Sequence, residues 1–314
     1  MTTAVDRDAL RTTQRVGDRV FSTATIVAGS LILAVLAAVA IFLFVQSIPA
    51  FLAVPEDFDP GVSNFWAYVW PLAFGTLWSA LLALIMAIPV AIGIALFISH
   101  YAPRKVSQGL GYIIDLLAAV PSVVFGLWGI GVLAPMLQPF YSTLVEWFGW
   151  FPLFAGPVSG TGRTIFTVAI VLAVMVLPII TAISREVFLQ TPVLHEEAAL
   201  ALGATRWEMI TMAVLPFGRA GIISAAMLGL GRALGETMAV AMVLSPSPQV
   251  IFQLLTSQNP TTIAANIALN FPEAHGVGVN ILLATGLILF VITLAVNMLA
   301  RYIINRRKAF SGAN

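Results

Sequence analysis

The sequence predicts an all-α membrane protein that crosses the bilayer six times. Three observations carry that expectation. The 314 residues are 60% hydrophobic and only 9% charged, where a soluble domain carries roughly a quarter charged residues. Mean hydropathy is +0.98. The apolar residues also gather into six runs near the ~20 residues that a helical span requires. The chain contains no cysteine, which excludes a disulfide framework and thiol-ligated metal. Its three scattered histidines, His100, His195 and His275, do not suggest a metal cluster. The lead-in "MTTAVDRDALRTTQRVGDR" is long and partly acidic, and the apolar run behind it is too long for a cleavable signal peptide.

The spans are expected at about 22–48, 72–99, 111–137, 164–184, 220–244 and 279–303. Placing the N-terminus in the cytoplasm puts every basic residue except Arg163 and Arg232 on the inner side or at its border. Arg7, Arg11, Arg15, Arg19, Arg104, Lys105, Arg185, Arg206 and the C-terminal cluster all fall there, so both termini are read as cytoplasmic. The first outer loop is acidic ("VPEDFDPG") and the second aromatic ("VEWFGWFPLF"), as suits a segment at the lipid–water boundary. Pro89, Pro121 and Pro178 lie within spans and are expected to kink them or serve gating. Asp115 is placed near the inner end of the third span with a structural or partner-contact role. Ser122 offers a hydroxyl beside Pro121. Arg163 is read as an outer anion contact or a simple interface anchor. The outer stretch 245–278 mixes polar and apolar residues and reads as an ordered loop with a short helix or as a docking or gating surface. The glycine-rich "GPVSGTGRT" lacks the lysine of a nucleotide-binding loop, and no G-x-x-x-x-G-K-[ST] occurs.

Between the fourth and fifth spans, "TPVLHEEAALALGATRWEMITMAVLP" (191–216) carries the local signals of a helical hairpin. Thr191 is expected to cap a first helix with Pro192 at its first position. Gly203 is expected to end it in the left-handed conformation. Thr205 and Glu208 form a capping box for a second helix, which Pro216 is expected to break. Ala198, Ala199 and Ala201 present a small-residue face beside Glu196 and Glu197, a shape that lets another backbone approach closely.

The fifth run contains "GLGRALGETMAV" (229–240). Arg232 and Glu236 lie four apart and are expected to share one helix face. In a span over 220–244, Arg232 sits ~18 Å from either end, at the bilayer midplane. A lone charge there costs ~3 kcal/mol on insertion scales, so it is expected to face a protein interior or water. Gly221, Ala225 and Gly229 form a small-residue stripe for close helix packing. The pair reads either as part of a substrate pathway or as a structural ion pair between helices.

The run "EAALALG" (197–203) followed by Leu215-Pro216 resembles the EAA loop of ABC importer permeases, departing from the usual pattern at Ala213. With "AAVPSVVFGLWG" (118–129), "GTLWSALLALIMAIPVAIGIAL" (75–96) and "GRALGETMAV" (231–240), the chain resembles the PstC family of phosphate-specific permeases from about residue 70 to its end. The resemblance implies a type I ABC importer permease core of five helices (70–304) behind one extra helix and outer loop (22–69). It further implies a coupling hairpin (186–219) and cytoplasmic ends at 1–21 and 305–314. It implies a transporter subunit without its own ATPase site or cofactor, in a bacterial plasma (inner) membrane. The partners it implies are the homologous permease PstA, two copies of the ATPase PstB and the external binding protein PstS. Glu196, Glu197, Ala198, Ala199, Gly203 and Arg206 would contact the ATPase, and Arg232, Glu236 and Ser122 would line the path of phosphate. Importers of sulfate or molybdate remain alternatives, as does a standalone anion transporter.

Overall fold

The computed structural model describes residues 16–58 and 61–308, with side chains as far as residue 302. Most of the expected terminal segments 1–21 and 305–314 falls outside these residues. Among the described residues, six helical segments are long and apolar enough to cross a membrane: Val16–Phe51, Phe65–Tyr101, Ser122–Phe148, Ile165–Leu189, Arg206–Leu234 and Val277–Tyr302. The third and the fifth depart from expectation, and in both cases hydropathy merged neighbouring elements.

Helix α1 (Val16–Phe51) stands at the periphery. Most of its length is exposed, and it is anchored near its end, where Ser47 and Ala50 are buried. There Asn280 Nδ2 donates to the Gln46 carbonyl at 2.7 Å. Helix α2 (Phe65–Leu96) starts on Asn64, whose side chain accepts from the Ala67 amide at 2.9 Å, and closes in a π turn over Phe97–Tyr101. Ala80, Ala83, Ala87, Ala91 and Ala95 are at most 1% exposed. These small residues recur every three or four positions and let α2 lie closely along α6 (Ile165–Leu189), the most extensive helix pair in the molecule. Thr164 caps α6 by accepting from the Thr167 amide.

The third span is displaced by eleven residues from 111–137 to Ser122–Phe148. The apolar "GYIIDLL" belongs instead to a separate amphipathic helix, α3 (Arg104–Ala118), packed on α6 through Gly111 and Ile114. Pro121 does not kink a span; it precedes α4 (Ser122–Trp128) as its capping residue, where a proline is tolerated because the first helical amides need no partner. A π turn (Gly129–Leu133) joins α4 to α5 (Ala134–Phe148). Pro178 is buried within α6, which runs through it without a break.

The loop between the fifth and sixth spans is largely structured and packed into the bundle. Pro246–Ser247 (β1) pairs in parallel with Asn259–Pro260 (β2), and α11 (Ile263–Asn270) follows, capped by Thr262. Leu254 and Leu255 join the main core. Asn259 Oδ1 accepts from the Ile165 amide at 3.2 Å, and Thr76 Oγ1 accepts from the Ile263 amide at 3.0 Å. Gly75 on α2 lies directly beneath the carbonyls of Pro260 and Thr261, leaving no room for a side chain. The segment therefore closes that end of the bundle. Helix α12 (Val277–Lys308) completes the fold and packs chiefly against α1.

Candidate functional site

At the end of the bundle opposite this closure, a hairpin projects. Its first helix, α7 (Val193–Ala201), is preceded by Pro192, and Thr191 makes no cap: its hydroxyl is buried without a partner among the described residues. Pro192 takes the capping position with an extended backbone, which shifts the helix start one residue on. Gly203 has φ +87° and nothing near the position of a side chain, so the turn requires glycine for its backbone alone. The capping box forms as expected: Thr205 Oγ1 accepts from the Glu208 amide at 3.3 Å, and Glu208 Oε2 accepts from the Thr205 amide at 2.7 Å. Pro216, in contrast, does not break the second helix. Helix α8 (Arg206–Met209), a π turn (Ile210–Val214) and α9 (Leu215–Leu234) run on as one rod. Pro216 falls in the first turn of α9, and the wider π turn ahead of it absorbs the missing hydrogen bond.

The small-residue face of α7 is divided. Ala199 turns inward, 8% exposed, against Phe188, Met209, Ile210 and Val214, while Ala198 and Ala201 face outward. Glu196 also turns inward, with Oε1 3.4 Å from His100 Nε2; the other ring nitrogen of His100 meets Ser99 Oγ at 2.7 Å. This contact ties the hairpin to the end of α2. The outward face is left with Glu197, Ala198 and Arg206 beside Val193, Leu194 (73% exposed) and Leu202 (88%). Such an apolar patch with charge around it marks an interaction surface.

Helix α9 packs on α6 through its small residues. A methyl group at Gly229 would sit 2.8 Å from Ile180 Cδ1, and Gly218 and Gly221 lie against Phe188 and Val187. The rod then stops at Leu234, ten residues before the expected end of the span. Gly235, Glu236 and Thr237 are non-helical, and a short helix, α10 (Met238–Val243), resumes. Arg232 and Glu236 therefore do not share a helix face and, among the described residues, form no ion pair. Glu236 is 7% exposed and its Oε1 accepts from the Ala239 amide at 3.0 Å, capping α10. Arg232 occupies the last turn of α9, a favourable position for a cation. It lines a cavity of about 510 Å³ together with Ile179, Ser224, Met227 and Asn297. Its guanidinium has no hydrogen-bonded partner among the described residues.

The other candidate residues lie apart from this cavity. Ser122 is in the first turn of α4, whose Gly126 packs on α10 at Ala239 and Met242. Asp115 is exposed on α3 rather than inside a span. Pro178 adjoins Ile179 of the cavity wall without lining it. Arg163 has a structural role that the sequence did not suggest: its Nε and Nη2 donate to the carbonyls of Met242, Val243 and Leu244 at 3.0–3.3 Å. It closes the C-terminal end of α10, so one charged side chain holds each end of this short helix. Three roles were not foreseen from the sequence: Asn297 in the cavity wall, His100 as the partner of Glu196, and Arg163 as a cap. A polar residue inside the last apolar run was the signal for the first.

Comparison with known proteins gives the family of the chain. The family described as binding-protein-dependent transport system inner membrane component matches residues 87–309. The chain belongs to that family. It is a multi-pass inner-membrane protein and a transporter subunit. The phosphate transport system permease protein PstC 2 of Mycobacterium tuberculosis is 47% identical over 300 residues, covering 92% of each chain. The phosphate transport system permease protein PstC of Mesorhizobium japonicum is 39% identical over 319 residues, covering 98% of this chain and 96% of its own. Among solved structures, a bacterial ABC transporter involved in the import of the acidic polysaccharide alginate superposes with a TM-score of 0.58 at 18% identity, over 92% of this chain and 99% of that one. At that identity the likeness establishes the fold.

Proposed function

We propose that this chain is the transmembrane permease subunit of an ATP-driven importer of inorganic phosphate. The observation that carries the reading is Arg232: a guanidinium unpaired among the described residues, at a helix break, facing a cavity, in a chain 47% identical to a named phosphate permease. A guanidinium offers a tetrahedral oxyanion paired hydrogen bonds of matched geometry. Non-helical backbone at membrane depth is stable where it is buried in protein or lines a cavity, and the break at 235–237 directly follows the helical turn that carries Arg232. Glu236 sets the position of α10 through its bond to the Ala239 amide. Ser122 stands as a weaker pathway candidate on α4.

In this reading the hairpin end faces the cytoplasm, with both termini, and the plugged end faces outward. The path is completed by a homologous permease of the PstA kind. The hairpin 191–216 docks into an ATPase of the PstB kind, present twice, through Glu197, Ala198, Arg206 and the exposed leucines. An external phosphate-binding protein of the PstS kind delivers the ion to the outer face. Gly203 fixes the hairpin turn, and the Glu196–His100 contact passes its movement to α2.

The test is labelled phosphate uptake by proteoliposomes holding the whole complex, with sulfate, molybdate and arsenate as competitors. Phosphate uptake blocked by arsenate and indifferent to sulfate supports the reading. Preferential sulfate or molybdate uptake replaces the substrate, and uptake by this chain alone overturns the subunit assignment.

A further inference from the structure

The cavity beside Arg232 contains a second polar group, on a different helix. Asn297 lies on α12, about 30 Å along the helix from Val277 and inside the apolar segment Val277–Tyr302. Its side chain lines the same cavity as Arg232. Among the described residues it makes no hydrogen bond. Asn297 is exposed, so its amide is open to a ligand. Ser224, the other polar residue of the wall, is already engaged: its hydroxyl donates to the Ala220 carbonyl at 2.9 Å. Ile179, Met227 and Leu228 make the remainder apolar. Two side chains with N–H groups to offer, one charged and one neutral, therefore meet one cavity from two helices, α9 and α12.

We propose that Asn297 is a second ligand of the transported oxyanion, donating its amide N–H groups while Arg232 supplies the charge. The inference rests on the anion-permease reading above. The division of labour has a physical reason. A second cation would deepen the well and hold the ion, whereas a neutral amide adds directed donors without adding charge. An ion with several acceptor oxygens can fill both sets of donors at once, whereas a monatomic ion such as chloride offers a single acceptor atom. Helix α12 packs chiefly on α1 rather than on α9. An ion held between Arg232 and Asn297 thus bridges two thinly joined helices, and their separation would release it.

The experiment uses the complete complex in proteoliposomes, carrying Asn297→Leu or Asn297→Asp. Two quantities are read: yield of assembled complex and initial phosphate uptake per complex. Leucine keeps the volume and removes the donors, and should lower uptake about tenfold. Aspartate places a like charge against the ion and should lower it at least as far. Yield of assembled complex should stay within about twofold of the native complex. The proposal is overturned by unchanged uptake per complex in the leucine variant. It is equally overturned if aspartate outperforms leucine, or if yield falls in step with uptake, since either result makes Asn297 a contact to the partner permease. The substrate reading is tested separately: if the native complex moves sulfate and not phosphate, that reading fails, and the Asn297 comparison is made with sulfate.

Discussion

Helix α6 has two kinds of neighbour. Toward α2 it meets alanines at 80, 83, 87, 91 and 95, all buried and none larger than a methyl group. Around Ile179, toward α9 and α12, it borders an open cavity with an arginine and an asparagine in its wall. Two helices that only need to stay together in hydrocarbon do so by close approach of small residues. Charged and amide groups in the same medium cost free energy and persist where something is to be bound. In the proposed reading, α2–α6 is the fixed seam of the subunit and α9–α12 the side that would open to the ion.

Filling the seam should have the largest structural effect. Ala87→Leu forces extra methylene groups between closely packed backbones and should cost about 1–3 kcal/mol. The thermal midpoint of the detergent-solubilised complex should drop by several degrees, and a midpoint equal to that of the native complex would mean the helices are not closely joined there. A bulky residue at Ala199 should also destabilise, by levering the hairpin away from Phe188 and Val214, whose packing it shares.

The hairpin sharpens the contrast from another direction. Gly203→Val places a β-branched residue at φ +87° with open space around it, so its effect is backbone strain of about 1–2 kcal/mol. Stimulation of the ATPase by loaded binding protein should fall strongly while the bundle stays folded. Gly203→Asn should fall less, because asparagine tolerates the left-handed region. Equal effects of valine and asparagine would contradict a conformational role.

Arg163→Met removes three donations to the end of α10 and should destabilise that helix by about 1–3 kcal/mol. Amide exchange should accelerate locally, at 238–244, with the α2–α6 seam unaffected. Smallest is Thr205→Ala, which loses one capping interaction worth about 1 kcal/mol. Its mark should be faster exchange in the first turn of α8 and a modest decline in coupling.

How much was legible in the sequence depends on the range of the interactions. The capping box at Thr205–Glu208 and the turn at Gly203 are set within a few residues, and they are present where the local rules put them. The stripe Gly221, Ala225, Gly229 also comes from helical spacing alone. Hydropathy failed where an apolar run hides a change of element. "GYIIDLL" is apolar enough to extend a span, yet Pro121 divides it from α4. "GETMAV" likewise continues the apolar run across a break, and only Gly235 with the cap-competent Glu236 marks it. The roles of Arg163 and Asn297 were beyond local rules altogether, because the groups they meet lie about eighty residues away or on another helix.

The central claim is that Arg232 meets the transported ion instead of completing an ion pair with Glu236. Labelled phosphate uptake, normalised to assembled complex, should be measured for Arg232→Gln, Glu236→Gln and the double variant. A charge-assisted hydrogen bond is worth about 1.5–3 kcal/mol net, so Arg232→Gln should slow uptake by about one to two orders of magnitude. Glu236→Gln should also impair uptake, through a weaker cap on α10. The account predicts that the double variant stays as inactive as Arg232→Gln. Recovery of uptake in the double variant would show that the two charges serve only each other, and would contradict it.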